Sequence, residues 1–372
     1  MSRSLNHLFP PYPLADQKSC GGELVEAVRR AMVSGNYILG SETTAFEQEF
    51  ARYLGIGHVT GTANGTDGIE LMLRALDIRG GSAVLLPAHA PSAVAAGVRR
   101  AGAEPVFADI DHNTFTLCPE SAAVVLKQQR PGRVKAVLAV HLYGHPAELG
   151  ALQEVARSHG AALLEDASQS HAAVWQGRMT GTLGRASVFS FYPTKNLAAL
   201  GDAGAVATDD ASLAARFSRL RQYGWKERHI SEEDGINSRL DELQAAMLRV
   251  KLSRLDTATR RRRQLAAIYD ARLAGVRSIA TPVVRPGCEH VYHQYVVRCT
   301  CRDRLLLPLK AAGVPVAVHY PVPLHQQPAF AQDRHLPRSE EAVREVLSLP
   351  LHPHLCDEAV HGVCDIIESA LS

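Results

Sequence analysis

Ser187-Val188-Phe189-Ser190-Phe191-Tyr192-Pro193-Thr194-Lys195-Asn196-Leu197 is an apolar, β-prone run that passes into a loop carrying a single amine. The strand reads over Ser187–Phe191, and the loop beyond Lys195 leads to Gly201-Asp202-Ala203-Gly204. An amine in that position is poorly solvated. Desolvation disfavours the ammonium, lowers the lysine pKa and leaves a nucleophile able to condense with an aldehyde. Upstream, Leu163-Leu164-Glu165-Asp166 ends another apolar strand with a carboxylate. A lysine and a carboxylate at neighbouring strand ends match what pyridoxal phosphate needs, an amine for the Schiff base and an acid to keep the ring nitrogen protonated. Each residue alone has a plainer reading, a surface lysine and an unrelated strand-end aspartate, so the rest of the chain must decide.

Working outward, residues 58 to 210 alternate short β-rich runs with helical patterns. Strands are predicted at His58–Gly61, Ala83–Pro87, Pro105–Asp109, Lys135–His141, Ala162–Asp166, Ser187–Phe191 and Ala205–Thr208. Most are nearly continuous apolar runs, which suits strands buried on both faces of a mostly parallel, seven-stranded sheet. Between them, Ile69, Met72, Leu73 and Leu76 follow helical spacing. This alternation predicts an open α/β sheet flanked by helices, whose ligands sit beyond the carboxyl ends of the strands. Asp166 and the Phe191–Lys195 loop then share one crevice. A long helix is predicted from about Ser238 to Ala271, then strands at Gln294–Arg298 and Val314–His319, a helix around Arg304–Ala312 and a terminal helix. The reading is a large α/β domain over residues 25–255 and a smaller C-terminal α+β domain over 256–372, with residues 1–24 packing as an N-terminal segment.

Composition narrows the function classes. The chain has 372 residues, 46% hydrophobic and 21% charged, which supplies a substantial core, and its formal charge of +2 gives no argument for a nucleic-acid partner. The run Arg260-Arg261-Arg262-Arg263 lies in a helical pattern and reads as a solvated face. Seven scattered cysteines include no CxxC pair, and Cys299-Thr300-Cys301 points its two thiols along one face of a strand. Neither a disulfide framework nor a zinc site is expected, and a reducing cytoplasm is. Among 17 histidines no HExxH pair occurs, so no metal is expected. No apolar stretch is long enough to span a bilayer, so no membrane partner is expected.

Two further constellations carry chemistry. Gly61-Thr62-Ala63-Asn64-Gly65-Thr66-Asp67-Gly68 lies between a strand and a strongly periodic helix. Backbone amides at a helix start, with glycines that admit a ligand, form an anion site, and Thr66 adds a hydroxyl donor. The spacing is neither GxGxxG nor GxxxxGK[ST], which disfavours a dinucleotide or nucleoside triphosphate. Such a turn also serves simply to cap a helix. In Glu165-Asp166-Ala167-Ser168-Gln169-Ser170-His171, Asp166 suits a pyridinium nitrogen and Gln169 reaches back as a neutral donor, while Ser190 offers a second phosphate donor.

These runs, with Asn237-Ser238-Arg239-Leu240-Asp241-Glu242-Leu243-Gln244-Ala245-Ala246 and His319-Tyr320-Pro321-Val322-Pro323-Leu324-His325, resemble the DegT/DnrJ/EryC1/StrS sugar aminotransferase family of fold-type I pyridoxal phosphate enzymes. The likeness extends in order from about Tyr37 to Leu351. It implies that Lys195 carries the Schiff base and shuttles the proton, and that Asp166 keeps the ring nitrogen protonated. Thr66, Ser190 and the amides near Gly65 would hold the phosphate, and Gln169 would neighbour the ring hydroxyl. Asn237 would reach the phosphate of a neighbouring subunit, so the unit would be a homodimer with shared active sites. Arg239, also from the neighbour, would face the sugar nucleotide together with His319 and Tyr320. Singly, Asn237 reads as a helix cap, Arg239 as an exposed first-turn cation, and His319 and Tyr320 as strand-end residues.

The sequence departs from that pattern in places. Most relatives put an aromatic over the cofactor ring in the run after Pro87-Ala88-His89, which here continues Ala90-Pro91-Ser92-Ala93, leaving Pro91 or His89 to cover the ring. Ala198 and Ala203 stand where glycine is usual. The resemblance implies a transaminase of amino-sugar biosynthesis that moves an amino group, from glutamate, to a nucleotide-linked keto sugar by a ping-pong route. Asn-Ser-Arg-Leu-Asp-Glu-Leu-Gln and Tyr223-Gly224-Trp225-Lys226 look more like the 3-keto-6-deoxyhexose enzymes than the 4-keto ones, and Arg239 and Lys226 suit a diphosphate. The alternatives are transfer to a keto-cyclitol, a pyridoxamine-dependent dehydratase, against which the presence of Lys195 argues, and a non-catalytic cofactor-binding regulatory protein.

Overall fold

The computed structural model describes residues 5–371. Twelve α-helices of these residues are numbered here: α1 Tyr12–Ser34, α2 Ser41–Leu54, α3 Gly65–Ala75, α4 Ser92–Arg100, α5 Pro119–Lys127, α6 Leu149–Ser158, α7 Ala211–Leu220, α8 Glu242–Leu252, α9 Leu255–Leu273, α10 Arg302–Ala311, α11 Pro337–Glu345 and α12 Asp357–Leu371. The main sheet has seven strands: β1 His58–Thr62, β2 Ala83–Pro87, β3 Glu104–Ala108, β4 Val134–Val140, β5 Ala162–Asp166, β6 Ser187–Ser190 and β7 Gly204–Thr208. Their spatial order is β1-β7-β6-β5-β4-β2-β3. Every pairing from β3 to β6 is parallel, and only β7 runs against its two neighbours. The fold is that of a mostly parallel α/β sheet flanked by helices, as the alternation of apolar runs and helical spacing predicts.

The register sets up the site. Asp166, the last residue of β5, lies beside Val188 of β6, so the loop after β6 emerges next to the Asp166 carboxylate. Strand β2 is buried along its whole length, as a central parallel strand with helices on both faces must be. One face of the sheet packs Leu71, Met72, Val84, Leu86, Phe107 and Leu138 into one core; the other packs Leu85, Val106, Val137 and Leu163.

The C-terminal part carries a second apolar cluster, with Leu265, Tyr269, Val297, Leu305, Val360 and Ile367 all buried. Its three-stranded antiparallel sheet sets β8 Tyr295–Cys299 between Ile279–Ala280 and β9 Val346–Leu349. Helix α1 lies on α8, where Cys20 and Leu24 meet Met247 and Ala27 and Ala31 meet Ala246. An ion pair from Lys251 to Asp16, at 2.7 Å, ties the same two helices together.

Three sequence readings are corrected. The helix expected over Ser238–Ala271 is two helices, α8 and α9, broken at Ser253-Arg254. Ser253 Oγ donates to the Val250 carbonyl at 2.8 Å, the kind of side-chain bond that competes with helix propagation. Residues 238–241, also expected to be helical, precede α8. The strand expected at Val314–His319 reduces to one bridge, Ala317 with Ser348, because Pro315 has no N–H for a ladder; β9 occupies the place beside β8. The arginine run is not a solvated face. Arg262 is 2% exposed, donates to the carbonyls of Tyr292 and Leu351, and lies 5.3 Å from the centre of the Tyr12 ring. Arg261 and Arg263 pair with Asp357 and Glu289.

Candidate active site

The carboxyl ends of the parallel strands open onto one cavity of about 470 Å³. Each connection supplies part of the wall: Asn64, Gly65 and Thr66 after β1, Pro91, Ala93 and Val94 after β2, and Val140 at the end of β4. Asp166 ends β5 with Ser168 and Gln169 beyond it, and Ser190 ends β6 with Tyr192 and Lys195 beyond it. The cavity lies where an open α/β sheet is expected to hold its ligand. Of the residues singled out in the sequence, Gly65, Thr66, Asp166, Gln169, Ser190 and Lys195 are brought together here.

The floor of the cavity is a helix start. Asn64 caps α3 by accepting from the Asp67 N–H at 2.8 Å, and the first intrahelical bond runs from Gly68 to the Asn64 carbonyl. The N–H groups of Gly65 and Thr66 precede that bond, and the partial positive charge of the helix end adds to them. Close approach requires glycine. A Cβ on Gly65 would lie 2.9 Å from Ser190 Cβ, and one on Gly204 would lie 2.4 Å from the Asn64 carbonyl carbon. Ser238 Oγ, fully buried, accepts from the Ala63 N–H at 3.0 Å and holds the loop from behind.

Burial lowers the Lys195 amine from 10.5 to about 8, and the nearby Asp166 carboxylate works against that shift. Lys195 therefore offers far more free amine near neutrality than an exposed lysine. One Asp166 oxygen accepts from the Ser168 N–H at 2.9 Å. Burial also keeps the surrounding imidazoles neutral: His171 falls to about 3, His293 falls well below its usual range, and His319 is lowered too. The imidazoles therefore add no charge beside Lys195 and Asp166, and the other charged groups on the cavity wall are Arg100 and Asp202.

A second layer positions these groups. Gln169 Oε1 accepts from the Tyr143 N–H at 2.7 Å, and its Nε2 donates to Tyr320 Oη at 3.1 Å. Tyr143 adopts φ 60°, a left-handed conformation held by its buried setting, and its hydroxyl donates to the His319 carbonyl. His319 Nδ1 is bonded to Ser348 Oγ at 2.8 Å. His319 and Tyr320 thus stand behind Gln169, outside the cavity wall. On the far face of β5, Glu165 is fully buried against His141 Nε2 at 3.0 Å and accepts from the N–H groups of Gly181, Leu183 and Gly184. Since Ala147 N–H donates to His141 Nδ1, it is Nε2 that carries the proton toward Glu165.

Asn237 and Arg239 are not on this chain's cavity. Asn237 is exposed, and the Arg239 guanidinium lies 5.9 Å from the centre of the Tyr223 ring. Of the two groups considered in place of the missing aromatic, Pro91 is on the cavity wall, whereas His89 is fully buried with its Nε2 2.7 Å from Tyr143 Oη. Sequence reasoning missed Asn64, Ser168 and, beside Pro91, the Ala93 and Val94 part of the wall. Asn64 had a signal, an Asx residue just before a periodic helix; the wall of small apolar residues had none.

The donor set fits pyridoxal phosphate: two free helix-start N–H groups with the Thr66 and Ser190 hydroxyls for an anion, a carboxylate for a ring nitrogen, and an amine of lowered pKa for an aldehyde. Comparison with known proteins bears on the same point. Residues 18–368 match the DegT/DnrJ/EryC1/StrS aminotransferase family. The chain is 43% identical over 354 residues to a dTDP-3-amino-3,4,6-trideoxy-alpha-D-glucose transaminase of Streptomyces venezuelae, covering 93% of this chain and 92% of the relative. It is 44% identical over 345 residues to the erythromycin biosynthesis sensory transduction protein EryC1 of Saccharopolyspora erythraea, covering 92% and 93%. Among solved structures, S. venezuelae DesV in complex with a ketimine intermediate superposes with a TM-score of 0.94 at 40% identity over the whole of both chains.

Proposed function

This chain belongs to the DegT/DnrJ/EryC1/StrS aminotransferase family and is a pyridoxal phosphate-dependent sugar transaminase; we propose that it moves an amino group from glutamate to the 3-keto carbon of a nucleotide-linked 6-deoxyhexose. The observation that carries the reading is the shared cavity of Lys195 and Asp166, with a helix-start anion cradle at its floor. The bound cofactor supplies an aldehyde carbon and an electron-withdrawing ring. Gly65, Thr66 and Ser190 would hold its phosphate, and Asp166 would hold a proton on its ring nitrogen. Gln169, fixed by the Tyr143 N–H, would neighbour the ring hydroxyl. Lys195 Nζ, whose lowered pKa brings its free amine within reach near neutrality, would take a proton from the nitrogen-bearing carbon of the amino donor and later deliver one to the sugar carbon that receives nitrogen. Donor and acceptor use the same cavity in turn, which gives a ping-pong order.

The active unit in this proposal is a homodimer. Tyr37, Ile38, Tyr192, Leu200 and Tyr223 are large apolar side chains left exposed. Tyr192 lines the cavity on the Lys195 loop, while Ile38 bridges Asp241 and the Leu200 N–H donates to Gln244, close in sequence to Asn237 and Arg239. A partner seated there would bring its Asn237 to the phosphate and its Arg239 and Lys226 to the sugar diphosphate, while Tyr320 holds Gln169 from behind. The 3-amino product in the name of the S. venezuelae relative supports the choice of carbon. A purely regulatory role is disfavoured, since a sensor has no need of a desolvated amine beside a carboxylate.

Glutamate added to the holoenzyme should bleach the absorption of the lysine-bound cofactor, and a screen of keto-sugar nucleotides with mass detection should then return one amino sugar. Unchanged absorption with intact Lys195 would sink the proposal. A 4-amino product would overturn only the assignment of the carbon.

A further inference from the structure

Outside the cavity, one pair of reactive side chains has no part in transamination. Cys299, the last residue of β8, and Cys301, the N-cap of α10, hold their sulfurs 3.3 Å apart, the one thiol–thiol contact among the described residues. Their environments differ. Cys299 is 1% exposed and packs in the C-terminal core, whereas Cys301 is partly exposed. Cys301 also stands in a turn, its carbonyl accepting from the N–H groups of Arg304 and Leu305. A disulfide needs the sulfurs at about 2.0 Å. The closure of about 1.3 Å is shared between two side chains across a single intervening residue, Thr300.

We propose that Cys299 and Cys301 form a peroxide-reactive dithiol, a site of reversible oxidation in which Cys301 is attacked and Cys299 resolves it. In the first step the Cys301 sulfur takes one oxygen from hydrogen peroxide, giving a sulfenic acid and one water. In the second the Cys299 sulfur bonds to Cys301 Sγ; the hydroxyl leaves with the Cys299 proton as a second water. Two thiols and one peroxide become one disulfide and two waters, and an external thiol reverses the change. The order follows from exposure, because the oxidant reaches Cys301 first. Burial and the contact with Cys301 also push the Cys299 thiol up to about 11, which makes it the poorer first target. Contact between the sulfurs supplies the proximity that the second step requires.

Trypsin cuts after Arg298 and Arg302, so both cysteines fall in the peptide Cys299–Arg302. Holoenzyme treated with stoichiometric hydrogen peroxide should yield this peptide lighter by two hydrogens, and dithiothreitol should restore the original mass. In Cys299→Ala protein the sulfenic acid on Cys301 has no resolving partner and should be trapped by dimedone, whereas the wild type should give little adduct. Should Cys299→Ala misfold, the wild-type peptide mass and dimedone yield decide by themselves. A wild-type peptide that gains oxygen or dimedone on Cys301 without losing two hydrogens would overturn the proposal. So would a first crosslink that joins either cysteine to Cys288 or Cys356.

Discussion

Replacing Lys195 with methionine should make the cofactor-free protein more stable while abolishing its activity. Methionine keeps an unbranched apolar stem out to Cε, with sulfur in place of one methylene, and lacks the amine. In the folded protein that amine sits at about 8, against 10.5 for a free lysine. Below about pH 8 both folded and unfolded states hold the proton, and the folded state bears the whole cost of burying it. Between those two values the unfolded chain binds more protons, so wild-type stability rises with pH across that window. At ~1.36 kcal/mol per unit, the cost near neutrality is about 3 kcal/mol, a ceiling because Lys195 keeps some solvent access. We expect Lys195→Met to gain about 1–3 kcal/mol near pH 7, shrinking toward zero by about pH 10. Urea unfolding of the cofactor-free proteins at both pH values, followed by tryptophan fluorescence, measures the difference. A variant no more stable than wild type near neutrality, or wild-type stability that falls across the window, would refute the argument that the amine is desolvated.

Asp166→Asn should leave the phosphate cradle intact, so cofactor is still retained, while transamination drops at least ~10²-fold; loss of the cofactor instead would show that Asp166 serves mainly in binding. His141→Gln breaks the imidazole's bond to the buried Glu165 while the loop N–H donors stay in place, and should cost about 1–3 kcal/mol of stability in thermal or urea unfolding. Glu165 is fully buried, a setting that raises a carboxyl pKa, but its bonds to His141 and the loop N–H groups outweigh this and hold it below the usual range. The stability it lends is present above the carboxylate range and lost as pH falls through its folded value; acid unfolding of wild type should show that loss and His141→Gln should blunt it. Gly204→Ala forces a methyl into the Asn64 carbonyl and should lower cofactor affinity at equilibrium, with a stability cost of about 1–3 kcal/mol.

Much of the sheet was legible because its strands are buried on both faces. Runs such as Ala83–Pro87 and Ala162–Leu164 are apolar because both faces of the strand are covered, and both strands end at the cavity edge. The six predicted site residues found on the cavity were legible for a related reason: each lies at or just beyond a strand's carboxyl end. Tertiary facts were not legible. Nothing local distinguishes Arg262 from Arg260, and only the carbonyls of Tyr292 and Leu351, far along the chain, make the former a buried cation. The break between α8 and α9 rests on one serine hydroxyl in an otherwise helical pattern. Pro315 did carry a warning against the strand at Val314–His319, and β9 completes that sheet from a segment read only as the end of the match.

The central claim is that Lys195 Nζ is the amine joined to the cofactor. Borohydride reduction of the holoenzyme, followed by peptide mapping, should place the pyridoxyl group on Lys195 alone. A label on any other lysine, or none on a protein that retains its cofactor, would contradict it.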